Sequence, residues 1–346
     1  MNKRLLVYKS LNISQELNAV AKKILSNVEY EKLNYNDFIL QDNTRYLFIV
    51  ELNSIGMDYR VMEMIEKNIK KLVKLENSYG AVIVRSSNEQ FTKSFGQKLI
   101  YHLNSIGMEF MGHPLVEAVE DYKNFRTWKK TLNMELDQIF LHKCKELVGR
   151  LMEYKSLGFE NPNILVLHAG NPEMSNTIMF FDMIKKHIHG NVRVLHVENG
   201  NIVDCKGCSF KTCLYYGEKN SCFYGGAITE EVLPAIEKAD IVIWLCPNYN
   251  DSVSAKLMAV INRMTVLYRK MSFHEKYIYG VIVSGSSGGD SVSSQLLNSL
   301  CINKGFRLPA NFSISQISYE RGEVLKIPGI RCLGKKFAGR INNIIK

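Results

Sequence analysis

Nothing in the sequence is apolar for long enough to cross a bilayer, which takes about 20 consecutive residues. The opening MNKRLLVYKSLNISQ reaches Lys9 too soon after Leu5 to leave room for the apolar core of a signal peptide. A cytoplasmic protein without a membrane partner is therefore expected. Blocks of like charge are missing too. The net charge is +10, from 44 Lys and Arg against 34 Asp and Glu. The basic residues are nevertheless interleaved with acidic ones, as in MEMIEKNIKKLVKLE (62–76), which describes a solvated helix face and not a nucleic-acid stripe. No Ser/His/Asp set or paired carboxylates stand out, so hydrolytic chemistry has no footing. The glycines of SGSSGGD (284–290) do not follow the G-x-G-x-x-G spacing of a dinucleotide fingerprint. Hydrophobic residues at 46% and charged residues at 23% are ordinary for a globular chain and exclude a disordered or fibrous one.

What is present is a regular alternation. From residue 163 onward, apolar runs (NILVLHAG, VRVLHV, IVIWLC, YIYGVIVSG) alternate with helix-patterned segments (SNTIMFFDMIKKHI, TEEVLPAIEKAD, SAKLMAVINRMTVLYRKM, SVSSQLLNSLCINKG). Near-continuous apolar strands separated by helices specify an α/β fold, a doubly wound parallel sheet covered on both faces. The first half repeats this order more faintly, with strands RLLVYKS, RYLFIVEL and GAVIVRSS between helical segments, as two tandem copies of one domain would. At 346 residues two domains are expected. Their expected extents are 1–125, a connecting helix and linker over 126–160, and 161–346.

Ligands of such sheets bind beyond the carboxyl ends of the strands, where the strand order reverses. Three loops of the second half leave strand ends with suggestive chemistry. HAGNPEMSNT (168–177) carries Asn171 and opens a helix at Ser175, Asn176 and Thr177, where free N–H groups favour a phosphate. LCPNYND (245–251) places Pro247, Asn248, Tyr249 and Asn250 between a strand and a helix, as a cradle for a planar ring. SGSSGGD supplies Ser284, Gly285, Ser286, Gly288 and Gly289, whose missing side chains let the backbone approach a flat ligand. Each loop alone is also explained by turn and capping chemistry.

The order SNT, CKGC, CPNYNDSVSAKLMAVINR and SGSSGG resembles the flavodoxin-like NAD(P)H-dependent FMN reductases and their relatives, the iron-sulfur flavoproteins, over roughly 163–309. The resemblance implies a five-stranded flavodoxin-like sheet and non-covalent FMN, its phosphate in the first loop and its ring between the other two. It implies NAD(P)H as co-substrate and electron transfer to a quinone, a flavin, a metal or another small acceptor, or to a redox protein. A homodimer is expected. The family's first loop reads G-S-P-R-x-x-S-N-T, whereas Gly170 and Pro172 stand here in place of its Ser and Arg; Lys256 is the candidate substitute charge. In the first half, YKSLNIS, ELNSIGMD and RSSNEQ lack the corresponding residues, so that copy is read as degenerate and without a flavin site.

Four of the eight cysteines fall in one window, Cys205, Cys208, Cys213 and Cys222. Thiols so grouped suit an iron-sulfur cluster or tetrahedral zinc, and redox-active or buried thiols are the other reading. Two further functions follow from these choices. One is an iron-sulfur flavoprotein-like electron carrier, and the other is a non-catalytic redox or metal sensor that has kept the fold and lost the flavin.

Overall fold

The computed structural model describes residues 4–33, 39–197, 202–219 and 221–346. The chain divides into two compact units, Met1–Lys155 with Leu308–Asn311, and Ser156–Arg307 with Phe312–Lys346. In the first unit β1 (Leu5–Lys9), α1 (Gln15–Leu25), β2 (Glu31–Lys32), β3 (Arg45–Leu52), α2 (Tyr59–Lys70), β4 (Tyr79–Ser86), α3 (Thr92–Ser105) and β5 (Glu109–Ala118) are followed by α4 (Arg126–Leu132) and α5 (Leu136–Glu153). The second unit begins with β6 (Asn163–His168), α6 (Asn176–Lys185), β7 (Asn191–His196), α7 (Phe210–Glu218), α8 (Leu233–Lys238) and β8 (Ile241–Pro247). It continues with α9 (Ala255–Arg263), α10 (Thr265–Tyr268), β9 (Tyr277–Ser284), α11 (Gly289–Leu296), β10 (Ser313–Ile317) and α12 (Ile330–Asn342).

Both sheets are parallel and five-stranded, in the orders β2-β1-β3-β4-β5 and β10-β9-β8-β6-β7. Counted within each unit, both orders are the doubly wound 2-1-3-4-5 of flavodoxin-like folds, so the chain holds two tandem copies of that fold. The order reverses between β1 and β3 in one unit and between β6 and β8 in the other. Central strands are apolar throughout because helices cover both of their faces. β9 is buried along its whole length, and β8 along all but Pro247. Against one face pack Phe180, Phe181 and Ile184 of α6 with Phe337 and Ile341 of α12.

Several elements depart from the sequence reading. The charged run 126–154, read as one helix, is broken by Asn133 in the left-handed region (φ 50°). Its second part, α5, places Ile139, Phe140, Leu147 and Leu151 in the core of the first unit. The helix read over 254–271 breaks at Met264 into α9 and α10. β5 and β10 escape periodicity because they are edge strands: β5 carries Pro114 and a register shift opposite Gly80–Val82, and β10 alternates polar Ser and Gln with isoleucine.

Ile243 is fully buried in the centre of the second sheet. Replacing it with alanine is expected to cost about 3 kcal/mol, a cavity with no flexible neighbour to fill it. Chemical denaturation reads this as a lower midpoint with an unchanged slope.

Candidate functional site: the carboxyl rim of the second sheet

The segment PNYND folds as a tight hairpin. Tyr249 and Ser252 face each other across a two-residue turn, and Asn250 (φ 52°) and Asp251 (φ 56°) both take the left-handed conformation that a type I′ turn requires. Few side chains besides Asn and Asp tolerate it, which explains the composition. The hairpin is bolted to the loop after β9. The Asn248 backbone N–H donates to the Val283 carbonyl (3.0 Å), and its side-chain amide donates to the Ser287 carbonyl (2.9 Å) and to Asp251 Oδ1 (3.0 Å). Gln295 of α11 closes the bridge, accepting from Val253 N–H (3.0 Å) and donating to the Asp251 carbonyl (2.8 Å). Gly288 sits at φ 90°, and a Cβ there would overlap the Asp251 carboxylate, so glycine is required twice over. Gly289 has no room either, since a Cβ would strike the Ser315 hydroxyl. Ser286, Gly288 and Gly289 line a shallow cavity of about 580 Å³ with Ser315 and Ile317.

The first loop is a turn held by Asn171, whose side-chain oxygen accepts the Glu173 N–H (2.9 Å) and whose carbonyl accepts from Met174 and Ser175. Ser175 caps α6, accepting the Ile178 N–H at 3.4 Å. Thr177 is wholly buried in the first turn and its hydroxyl has no partner. Asn176, expected to face a phosphate, instead holds the segment after β10, donating to the Glu320 carbonyl (2.8 Å) and accepting the Gly322 N–H (2.7 Å). That segment was not singled out in the sequence. It joins the rim because Ser318 N–H donates to the Ser284 carbonyl (2.8 Å) and the Tyr319 ring lies 3.1 Å from where a Gly285 Cβ would be.

The expected residues therefore gather on one rim in two groups linked through 318–322. Ser284 Oγ, Ser254 Oγ, Asn248 Oδ1 and Thr177 Oγ1 are all buried there without hydrogen-bond partners among the described residues. Tyr249 (55% exposed) and Tyr319 (79%) present open aromatic faces. Arg321 projects from the same segment, exposed and without an ion pair among the described residues.

The first unit fills the same positions with its own side chains. Glu51, at the end of β3, lies at the start of α1, where its Oε2 accepts from the Ser14 hydroxyl (2.8 Å) and N–H (3.3 Å). Arg85, at the end of β4, donates to Glu51 Oε1 at 2.6 Å. Burial opposes the Arg85 charge, but the bond and attraction to Glu51 outweigh it and raise the guanidinium pKa. Beneath them Tyr8 and Ser10 donate to the Asp58 carboxylate, and Ser10 Oγ accepts the Glu51 N–H at 2.8 Å.

The expectation of a metal at the four cysteines is not upheld. All four thiols are free and border one cavity. Among the described residues, however, no group of three or more His, Cys, Asp or Glu is placed to hold a metal ion. Cys213 lies within α7 and Cys222 beyond it, and Tyr216, Phe223 and Tyr224 border the same cavity as the thiols.

A strand order reversing at β6/β8, with glycine-bearing loops beyond those ends, gives the second unit the flavodoxin-like arrangement, in which ligands bind at the reversal. Residues 162–318 match the model of the NADPH-dependent FMN reductase family. No curated protein matches the chain. Among solved structures, it is similar to RosB with a bound 8-demethyl-8-formylriboflavin-5'-phosphate intermediate (15% identity, 53% of this chain and 78% of that one, TM-score 0.42). It is also similar to an NAD(P)H:quinone oxidoreductase from Methanothermobacter marburgensis (15%, 53% and 96%, 0.39) and an azoreductase from Bacillus anthracis (12%, 53% and 99%, 0.38). No helix among the described residues is long and apolar enough to cross a membrane.

Two outcomes test this geometry. Gly288→Ala is expected to cost about 2 kcal/mol and to free the 247–252 hairpin, seen as faster amide exchange there than elsewhere in the second unit. Glu51→Gln leaves Arg85 with only the longer ion pair to Glu16 (4.0 Å) and is expected to destabilise the chain by about 2 kcal/mol, measured by thermal unfolding. Glu51→Gln with Arg85→Met is expected to recover part of that loss.

Proposed function

We propose that the second unit binds FMN at the rim made by residues 171–177, 247–254, 284–289 and 318–322, and that the chain passes electrons from NAD(P)H through it to a small acceptor. The observation carrying this reading is the set of buried, unpartnered polar atoms on that rim, Thr177 Oγ1, Ser254 Oγ, Ser284 Oγ and Asn248 Oδ1. Each unsatisfied group costs about 1–3 kcal/mol unless a ligand completes it.

The residues fit the cofactor in kind. Thr177 and the free N–H groups opening α6 are suited to a phosphate dianion. The family's missing guanidinium has two candidate replacements, Lys256 and, better, Arg321, which has no ion pair among the described residues and hangs from the segment that Asn176 ties to α6. Gly288 brings main chain close to a flat ring, and Ser254, Ser284 and Asn248 offer donors and an acceptor to its polar edge. Tyr249 and Tyr319 shelter it from water. When bound, FMN supplies the hydride and electron chemistry, and the protein supplies position and electrostatics. No titratable acid or base is needed, consistent with a rim built from loop formers.

In this reading the first unit binds no flavin, because the Glu51 carboxylate already takes the anion's place at α1 and is itself paired with Arg85. The acceptor is a small molecule such as a quinone or free flavin, and the functional form a homodimer with the exposed Tyr249 and Tyr319 at its contact.

The test compares FMN with riboflavin, which lacks the phosphate, by fluorescence titration of apo protein. Arg321→Gln and Thr177→Val are each expected to weaken FMN about tenfold and leave riboflavin unchanged. Equal losses for both ligands would remove the phosphate assignment, and a protein that retains no FMN and stays colourless favours the non-catalytic sensor.

A further inference from the structure

A second cavity of about 170 Å³ lies away from the rim, bordered by Cys205, Cys208, Cys213, Cys222, Tyr216 and Tyr224. The end of α9 and α10 form its remaining wall. The nine residues of α9 run about 13 Å from the hairpin to this end, so the cavity is separate from the proposed flavin position.

Arg263 is the unusual feature here. It is 2% exposed, yet only its two terminal nitrogens are bonded, Nη1 to the Val203 carbonyl (3.2 Å) and Nη2 to the Gly225 carbonyl (2.8 Å). These bonds fasten both ends of the cysteine segment. Its Nε is buried without an acceptor among the described residues, and so is the Nε of Arg269, which also borders the cavity and lies over the Phe210 ring at 4.5 Å. Two buried N–H donors of positive groups are costly to leave unmet, and the ligand group that meets them best is a carboxylate.

The thiols have their own arrangement. Gly207 takes φ 69° with open space around it, so its left-handed backbone and not crowding calls for glycine, and it stands between Cys205 and Cys208 in the chain. Cys205 is exposed and Cys208 half-buried, the latter beside the Tyr224 hydroxyl. Lys304 lies near Cys205 and Cys213, and burial, the largest effect on it, lowers its pKa. Paired, partly accessible thiols among cations, not placed to hold a metal, are the setting of disulfide exchange.

We propose that Cys205 and Cys208 form a dithiol–disulfide pair that exchanges with a small disulfide carrying a carboxylate, received by Arg263 and Arg269. The Cys205 thiolate attacks one ligand sulfur, the ligand S–S bond breaks, and one thiolate leaves and takes a proton. The Cys208 thiolate then attacks Cys205 Sγ in the mixed disulfide and expels the second ligand thiolate, which is also protonated. The balance is one protein dithiol and one disulfide giving one protein disulfide and two thiols, with two electrons passing to the ligand. The cavity holds several waters' volume but less than a drug-sized site of about 300 Å³, the scale of one half of such a ligand.

The test uses full-length protein carrying Cys332→Ser, which removes the other exposed thiol; Cys144, Cys246 and Cys301 are buried. The probes are cystine and the uncharged bis(2-hydroxyethyl) disulfide, with released thiol followed in time and the products mapped by mass spectrometry. Expected are two cysteines released per chain, a Cys205–Cys208 disulfide, and cystine reacting about tenfold faster than the uncharged probe. Cys208→Ser should stop at a mixed disulfide on Cys205, and Arg269→Gln should bring cystine down to the rate of the other probe without altering the latter. Equal rates for the two probes, a reaction ending at the mixed disulfide in the parent, or a disulfide between another pair would overturn the proposal. None of these readouts involves flavin, so they stand or fall apart from the function proposed for the rim.

Discussion

The bridge between the loops after β8 and β9 decides what the second unit can do. Asn248 spans it with three hydrogen bonds, to Val283, Ser287 and Asp251, and Gly288 is the only residue that fits beneath the Asp251 carboxylate. A parallel sheet ends in separate loops, each free to move. Here two of them become one surface, and the 318–322 segment links that surface to the start of α6 through Asn176, Ser284 and Gly285. Preorganisation of this kind matters for a cofactor gripped through main chain and hydroxyls, because loops that must be ordered on binding lower its affinity.

The two units show one topology put to opposite uses. Both reverse strand order between their first and third strands, and both open a serine-capped helix beyond the first. In the second unit the ground beyond those strand ends holds unpaired hydroxyls and open aromatic faces. In the first, a carboxylate from β3 caps the helix and an arginine from β4 pairs with it. A half-buried ion pair with good geometry resists insertion of a ligand, since breaking it leaves two poorly solvated charges.

Much of this was legible in the sequence. The α/β class followed from long apolar runs such as IVIWLC, because only a sheet covered on both faces buries every residue of a strand. PNYND and SGSSGGD stood out because positive φ and close backbone approach demand particular residue types. What was not legible depends on contacts remote in sequence. Asn176 reads as a phosphate ligand next to Thr177, but its partners are Glu320 and Gly322, about 145 residues on. Tyr319 and Arg321 follow an edge strand, SISQI, too polar to register as one. The four cysteines suggested a metal by spacing alone, but Cys213 lies within α7 and Cys222 beyond it, and the described residues hold no group placed to bind a metal ion.

The most direct test of the account is the stoichiometry of FMN on the intact chain, measured by calorimetric titration of protein stripped of flavin. A rim complete in one unit and filled by an ion pair in the other predicts a single site per chain. Two sites per chain, or none, would contradict it.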